Sequence, residues 1–319
     1  MTLFGYAQML RYDWDKQSLE TTDPKMRSFL ADIYRSQRYL QTASDMALLS
    51  RLDGLLANIA TLDFHGVPNL TFDNTKNTIN LVELLEEFRL RRIEPEANIK
   101  SSVGRFLNCG KAADIEKVIT MLKSLEGTKC LFKFTKQCHL DSILQGELRF
   151  ITASSCNADG LNSAIRDNEL MIEHNLLNLR MVTADGTAIP IKDGKVTRNA
   201  HTDYYVSCFS VSCDPKMFAL FEYDACVVIK SADRFVEAVT EKYQSLYPIF
   251  HIEFGPVEYI DSFKQLQATR PLEFLKTNDF AYQKEFRFVS FALQEHEYND
   301  ASQVIAINAS HLSCEVITI

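Results

Sequence analysis

The feature that most constrains this chain is a change of hydrophobic period at residues 126–130. Before it, apolar residues recur every three or four positions; after it, they alternate or gather in short runs such as CLFKF and ACVVIK. The first spacing lays one apolar stripe along a helix, and the second loads the faces of strands. A chain that changes period once in this way is expected to keep its helices apart from its sheet. It predicts an α+β protein with a helical domain over 1–127 and a split or curved β-sheet domain over 128–319.

The helical part has readable punctuation. Thr22-Asp23-Pro24 supplies a capping oxygen and a proline at the first helical position, followed by Met26, Phe29, Leu30 and Ile33 on one stripe to about Leu40. Thr42 to Ser44 can cap a second helix carrying Leu48, Leu49, Leu52, Leu55, Leu56 and Ile59, and Gly66 and Pro68 end the pair. A third helix holds Ile79, Val82, Leu85 and Phe88. Its interleaved charges, Glu83, Glu86, Glu87, Arg89, Arg91 and Arg92, predict a solvated face rather than a nucleic-acid patch. A fourth spans Ala112 to Leu125 and stops at Gly127. The later half predicts strands at 130–134, 148–152, 204–210 and 225–230, with PVEYI, QVIAIN and CEVITI completing the set. It also predicts helices at 139–146, 157–177 and 232–243, a helical turn at Met217–Phe221, and a hairpin around Asp193-Gly194.

Composition narrows the function classes. An apolar share of 46% suffices for a buried core, and a formal charge of −8 argues against holding nucleic acid by bulk electrostatics, although a local basic cleft remains compatible with it. The absence of a basic segment followed by an apolar run, and of any long uninterrupted apolar stretch, predicts neither export nor a membrane span. Eight scattered cysteines (109, 130, 138, 156, 208, 213, 226 and 314) show no CxxC pair and no zinc spacing, so reduced thiols in a cytoplasmic protein are expected and no metal site is. There is no Walker loop, spaced-glycine dinucleotide loop, G-x-S-x-G elbow or HExxH, and only 11 glycines.

Chemistry concentrates at residues 276–291, KTNDFAYQKEFRFVSF. Read as a strand opening on Gln283-Lys284-Glu285, it puts Gln283, Glu285 and Arg287 on one face among aromatic residues. Such a trio pairs internally as an edge salt bridge, faces water, or handles a polar ligand. A second polar cluster, Asn162, Arg166, Asp167 and Glu169, falls in the predicted 157–177 helix, with Asn162 and Arg166 one turn apart; it is either a solvated face or a wall of the same cleft.

Over roughly 130–292 the order of short signals resembles an uncharacterised bacterial domain family. Its elements stand here as Phe132-Lys133-Phe134, Ile143-Leu144-Gln145-Gly146-Glu147-Leu148-Arg149-Phe150, Cys208-Phe209-Ser210 with Met217 to Tyr223, and Lys276…Phe280-Ala281-Tyr282-Gln283-Lys284-Glu285-Phe286-Arg287. That family in turn is similar to the ADP-ribosyltransferase superfamily. The resemblance implies an ADP-ribosyltransferase-like sheet and NAD as the substrate. It makes Glu285 the catalytic glutamate, Gln283 the residue facing the acceptor and Ser210 the residue orienting Glu285. Lys133, beside Phe134, would hold a phosphate or ribose, Tyr282 would pack on nicotinamide, and Asn162 and Arg166 would touch cofactor or acceptor. His139 is a variant ribose contact, or a surface or cap residue. Two departures, Lys133 where the family has arginine and Phe280 and Gln283 where it has Trp and Glu, bear on pyrophosphate recognition and on the acceptor. By the same resemblance the acceptor is a macromolecule (RNA, DNA or protein), the setting a bacterial toxin or phage-defence effector, and the helices a place for an antitoxin or regulatory partner. A nucleotide- or partner-binding module without chemistry is the alternative.

Overall fold

The computed structural model describes residues 10–13, 18–21, 24–63, 68–70, 75–106, 112–162, 164–176, 179–183, 185–191, 194–264, 268–298, 302–308 and 313–319. Thr22, Asp23, Gly66, Cys109 and Asp193, each invoked above, lie outside them. The first described elements are a strand pair, β1 (Leu10–Asp13) and β2 (Ser18–Thr21), followed by helices.

Helix α1 (Pro24–Gln37) starts at its proline as expected. Its inward face is Leu30, Ala31 and Tyr34, whereas Phe29 and Ile33 are 55% and 40% exposed, so the stripe is turned toward Tyr34. Helix α2 (Asp45–Ile59) is capped by Ser44, whose Oγ accepts from the Ala47 N–H at 3.2 Å. Leu48, Leu52, Leu55, Leu56 and Ile59 are buried, each contributing about 1.5–3 kcal/mol. A short pair, β3 (Ala60–Leu62) and β4 (Pro68–Leu70), follows.

Helix α3 (Thr75–Arg91) corrects one expectation, because two of its acidic residues do not face water. Glu87 is fully buried, accepting from Tyr34 Oη, from Arg38 Nε at 3.1 Å and from Arg91 Nε at 2.7 Å, and Glu86 is buried between Arg35 and Arg89. The interleaved charges fasten α1 to α3. Helix α4 (Glu96–Phe106) was not anticipated; it buries Ile99 and Val103. Helix α5 (Ala112–Ser124) gives Ile115 to the helical core, and Val118 packs with Leu125 against the sheet.

The remaining elements are β5 (Leu131–Thr135), α6 (Leu140–Leu144), β6 (Glu147–Thr152), β7 (Met171–Leu176), β8 (Leu179–Val182), β9 (Ala188–Ile191), β10 (Gly194–Asn199), β11 (Tyr205–Ser210), α7 (Lys216–Phe221), β12 (Ala225–Ile229), α8 (Ala232–Leu246), β13 (Phe250–Pro256), β14 (Glu258–Ile260), β15 (Leu275–Thr277), β16 (Glu285–Ala292), β17 (Gln303–Ala306) and β18 (Cys314–Thr318). Eight of these strands form one antiparallel sheet that forks. β13, β16 and β11 lie side by side; beyond β11 one arm runs β5-β12-β18 and the other runs β6-β17. β11 meets β5 only at Ser210↔Phe132 and β6 only at Tyr205↔Thr152 and Val206↔Ile151, so Ser207, Cys208 and Phe209 have β16 on one side and neither arm on the other. Helices α6 and α8 cover one face through Ile143, Phe235, Val239 and Tyr243, and α5 and α7 cover the other through Val118, Met217 and Phe218.

Two predicted elements are absent. Residues 158–162 and 164–170 form turns and irregular backbone, and 171–176 is strand β7, where a helix over 157–177 was expected; residues 163 and 177 lie outside the described residues. The Asn162 side chain accepts from the Ala164 N–H at 2.8 Å, and this local bond competes with a helical continuation. β9 and β10 are not a hairpin: β9 pairs with β8 and β10 with β7, and the tip lies at Thr183–Thr187. There Asp185 accepts from the Thr187 N–H at 3.1 Å, and Gly186 takes φ 84°, a conformation that favours glycine.

The helices pack on the turn that leads into β16. Asn58 on α2 donates to the Asn278 carbonyl at 2.8 Å and accepts from the Tyr282 N–H at 2.7 Å. Gly54 makes the approach possible, since a Cβ there would lie 2.6 Å from Asp279 Cβ and 2.7 Å from its Cα. Among the described residues no helix is long and apolar enough to cross a membrane.

Candidate functional site

The fork in the sheet opens into a cleft of about 510 Å3 walled by Phe132, Phe134, Ile143, Leu148, Phe209, Met217 and Phe221. Its floor is polar and comes from three separated segments: Glu169, Lys276, and the Gln283–Glu285 turn. Residues 278–283 form a 3-10 turn, and Lys284 takes φ 44° and ψ 53°, so β16 begins at Glu285 rather than at Gln283. The side chains of Gln283, Glu285 and Arg287 still converge, through the turn and not through strand alternation.

Glu285 is 5% exposed and carries two cations. Arg287 Nε donates to Oε1 at 2.6 Å and Lys276 Nζ to Oε2 at 3.1 Å. Burial alone would raise this carboxyl; the Arg287 and Lys276 charges outweigh it and hold the group well below the usual carboxylate range. The Glu285 N–H donates to Tyr259 Oη at 2.8 Å, which anchors the start of the strand. Arg287, with no exposed surface, also grips Glu169 through both terminal nitrogens at 2.6 and 2.7 Å. Lys276 lies 3.5 Å from Asp167 and 3.7 Å from Glu169. Three carboxylates thus meet two cations. Burial, with Asp167 and Glu285 adding to it, pushes the Glu169 carboxyl up against the pull of Arg287 and Lys276, while Glu285 is held down. The same two cations thus sit between carboxyls shifted in opposite directions.

The remaining candidates take distinct places. Ser210 Oγ lies 2.6 Å from the carbonyls of both Ser212 and Gln283, so it fixes the backbone of the turn rather than the Glu285 carboxylate. The Gln283 amide is engaged inward, donating to the Ala164 carbonyl at 2.6 Å and accepting from Lys276 at 3.1 Å. Lys133 lies in the fork itself. Its Nζ donates to the Cys208 carbonyl at 2.7 Å and sits 4.8 Å from the Phe209 ring centre. Phe134 lines the cleft with its ring edge-on to Phe218 at 5.1 Å, and His139 is exposed at the mouth without a capping bond.

Tyr282 lies elsewhere. It packs into the helical core and, with Asn162, lines a second cavity of about 700 Å3 between α2, α4, α7 and the 278–282 turn. Its ring is therefore not in the cleft above Glu285. Arg166 is exposed and pairs with Asp159 at 2.9 Å, so Asn162 and Arg166 share neither a helix face nor the cleft. Sequence reasoning gave no site role to Lys276, Cys208 or Tyr259. Lys276 and Cys208 stood within the quoted elements at 276–287 and 208–210 without a role of their own, and Tyr259 lay outside both.

Two thiols, Cys156 and Cys208, also line the cleft. Burial pushes Cys156 up to about 12 and Cys208 well above its ordinary value, so neither is a thiolate nucleophile. Among the described residues no three His, Cys, Asp or Glu are grouped to hold a metal ion. The chemistry available here is that of an ionised carboxylate, a second carboxyl bridged by Arg287 and a lysine in an apolar slot. Compared with known proteins, the chain matches no family model, no curated protein and no solved structure.

Proposed function

We propose that the cleft binds NAD and that the protein transfers ADP-ribose to a macromolecular acceptor. The observation that carries this reading is Glu285, a carboxylate held ionised on the floor of an apolar cleft. Cleavage of a nicotinamide–ribose bond develops positive charge on the sugar, and a fixed anion in a water-poor site stabilises that charge. A cavity of this volume lies within the range of small-molecule sites, about 300–1,000 Å3. Its residues fit a dinucleotide: aromatic and aliphatic walls for flat rings, and Lys133, which forms no ion pair among the described residues, for an anionic phosphate. Arg287 and Lys276 keep Glu285 in place, and Ser210 keeps the turn that precedes it. Glu169 holds the Arg287 guanidinium from its other side, at 2.6 and 2.7 Å. The setting as a toxin or phage-defence effector, with the helices receiving a partner, follows from the resemblance over 130–292.

The test is incubation of the full chain and Glu285→Gln with adenine-labelled NAD and a cell lysate, followed by separation of protein and nucleic acid. Label entering one fraction with the unaltered chain alone supports transfer and identifies the acceptor class. A second reading is favoured by the ion cage: with both Glu285 oxygens already bonded to cations, the cleft binds a nucleotide without chemistry. Calorimetric binding of NAD with no nicotinamide release, in the presence and absence of lysate, would select it.

A further inference from the structure

Lys133 differs from the other lysine of the cleft. Lys276 shares its charge with three carboxylates, whereas the contacts of Lys133 Nζ among the described residues are one backbone carbonyl, at 2.7 Å, and one aromatic ring. Neither partner replaces a counter-ion. In the sheet Lys133 lies opposite Val227, which has no exposed surface, and the cleft wall beside it is largely hydrocarbon. Burial disfavours the charged ammonium, and the weaker pull of Cys208 and Glu285 does not offset it, so the amine holds its proton less tightly than a surface lysine. A desolvated amine of this kind is a nucleophile toward carbonyl carbon.

A second observation comes from β11. Ser207 lines the same cleft and is 3% exposed, and its Oγ has no hydrogen-bond partner among the described residues. Ser207 and Phe209 are two apart on one strand and face the same side, the side on which Lys133 covers Phe209. A buried hydroxyl without a partner is unfavourable, and an acceptor brought by a ligand would relieve it. An amine, an unanswered hydroxyl donor and apolar walls together complement a carbonyl group on a flat hydrocarbon body.

We propose that Lys133 is a reactive amine that condenses with apolar aldehydes and ketones in the cleft, the Ser207 hydroxyl receiving the carbonyl oxygen. The nitrogen lone pair forms a C–N bond to the carbonyl carbon while the C=O π pair moves to oxygen, which takes up a proton. That proton comes from nitrogen and leaves a carbinolamine; the nitrogen lone pair then breaks the C–O bond, and the departing oxygen takes the second amine proton and leaves as water, so amine plus carbonyl yields imine plus water with no oxidant or reductant. This inference does not need NAD to be the natural ligand, and its test contains none.

The full chain is treated at neutral pH with limiting benzaldehyde and sodium cyanoborohydride, which reduces the imine to a stable amine, and the adduct is located by peptide mass mapping. The exposed Lys129 and Lys195 serve as internal comparators. The expected result is one adduct per chain at Lys133, formed at least about tenfold faster than at either comparator. Ser207→Ala should slow that reaction several-fold without moving it, a change that loss of packing at the comparators would not produce. Adducts spread over surface lysines, with Lys133 unmodified or no faster than Lys129, would overturn the proposal. The map of the unaltered chain decides the point even if Lys133→Met does not fold.

Discussion

Arg51 and Asp261 meet fork to fork, with Nη1 and Nη2 2.6 and 2.9 Å from the two carboxylate oxygens, although 210 residues separate them and they are only 2% and 8% exposed. Arg51 lies on α2 and Asp261 follows β14, so this pair ties the helices to the segment that leads to Lys276 and Glu285. Phe263 lies 4.8 Å from the guanidinium, and the Phe263 N–H donates to Asp261 at 3.1 Å. Arg51→Met leaves a buried carboxylate without its counter-charge and should cost about 3–5 kcal/mol in urea unfolding. Replacing both partners, Arg51→Met with Asp261→Leu, should recover most of that loss.

Gly54 is where α2 comes closest to the turn before β16. In Gly54→Ala the added methyl meets Asp279 Cβ and backbone Cα at separations no contact tolerates, so helix and turn must part. A loss of about 1–3 kcal/mol in urea unfolding is expected. Unchanged stability would show that the turn relaxes without strain.

Asp279 gives the fold a pH dependence of definite sign. Burial pushes its carboxyl from 3.8 up to about 6, with Asp261, Asp167 and Asp53 pushing the same way against Arg51. An acid raised on folding binds more protons in the native state, so its effect on stability worsens as pH rises from about 4 to about 6 and is absent below that window. Asp279→Asn should therefore stabilise the protein near pH 7.5 by roughly 1–2 kcal/mol, allowing for partial exposure, and leave it unchanged near pH 3. Paired thermal melts at the two values check this.

Glu87 is the buried anchor of α1 on α3. Tyr34→Phe removes one donor but leaves Arg38 and Arg91 in place, and should cost about 1 kcal/mol; Glu87→Leu strips all three partners of their acceptor and should cost about 3 kcal/mol or more. Chemical denaturation of the two variants side by side gives the ratio.

For the proposed transfer, Glu285→Gln keeps the shape of the floor and removes the charge. Nicotinamide release should fall by at least about 100-fold while the Kd for NAD changes by less than about tenfold. Equal losses in both would point to a collapsed ion cluster instead.

What was legible in the sequence was local. The alternation in Phe132-Lys133-Phe134 and the run Tyr205 to Ser210 are properties of a few neighbouring residues, and the structure forms both strands. The Glu285 strand was visible for the same reason, but its first residue was misplaced by two because Lys284 adopts a left-handed conformation that no short-range pattern announces. The 157–177 segment was misread because its polar residues suit a helix in general, whereas Asn162 in particular turns back on its own backbone. The hairpin was placed around Asp193-Gly194, whereas the pairing of β8 with β9 puts the turn at Asp185-Gly186. The partners of Glu285 beyond Arg287 were beyond reach. Arg287 binds Glu169 across 118 residues, and α3 buries acids that look solvated until α1 is placed beside them.

β11 has a full neighbour on one flank and, at Ser207, Cys208 and Phe209, none on the other. The cleft is thus less a dent in a finished surface than a missing rung of the protein's own interior. Whatever fills it stands where a strand would otherwise lie, bracing the two arms of the sheet against each other. A ligand bound there would protect β5 and β6 from hydrogen exchange, and would then act as the last component of the fold as well as its cargo.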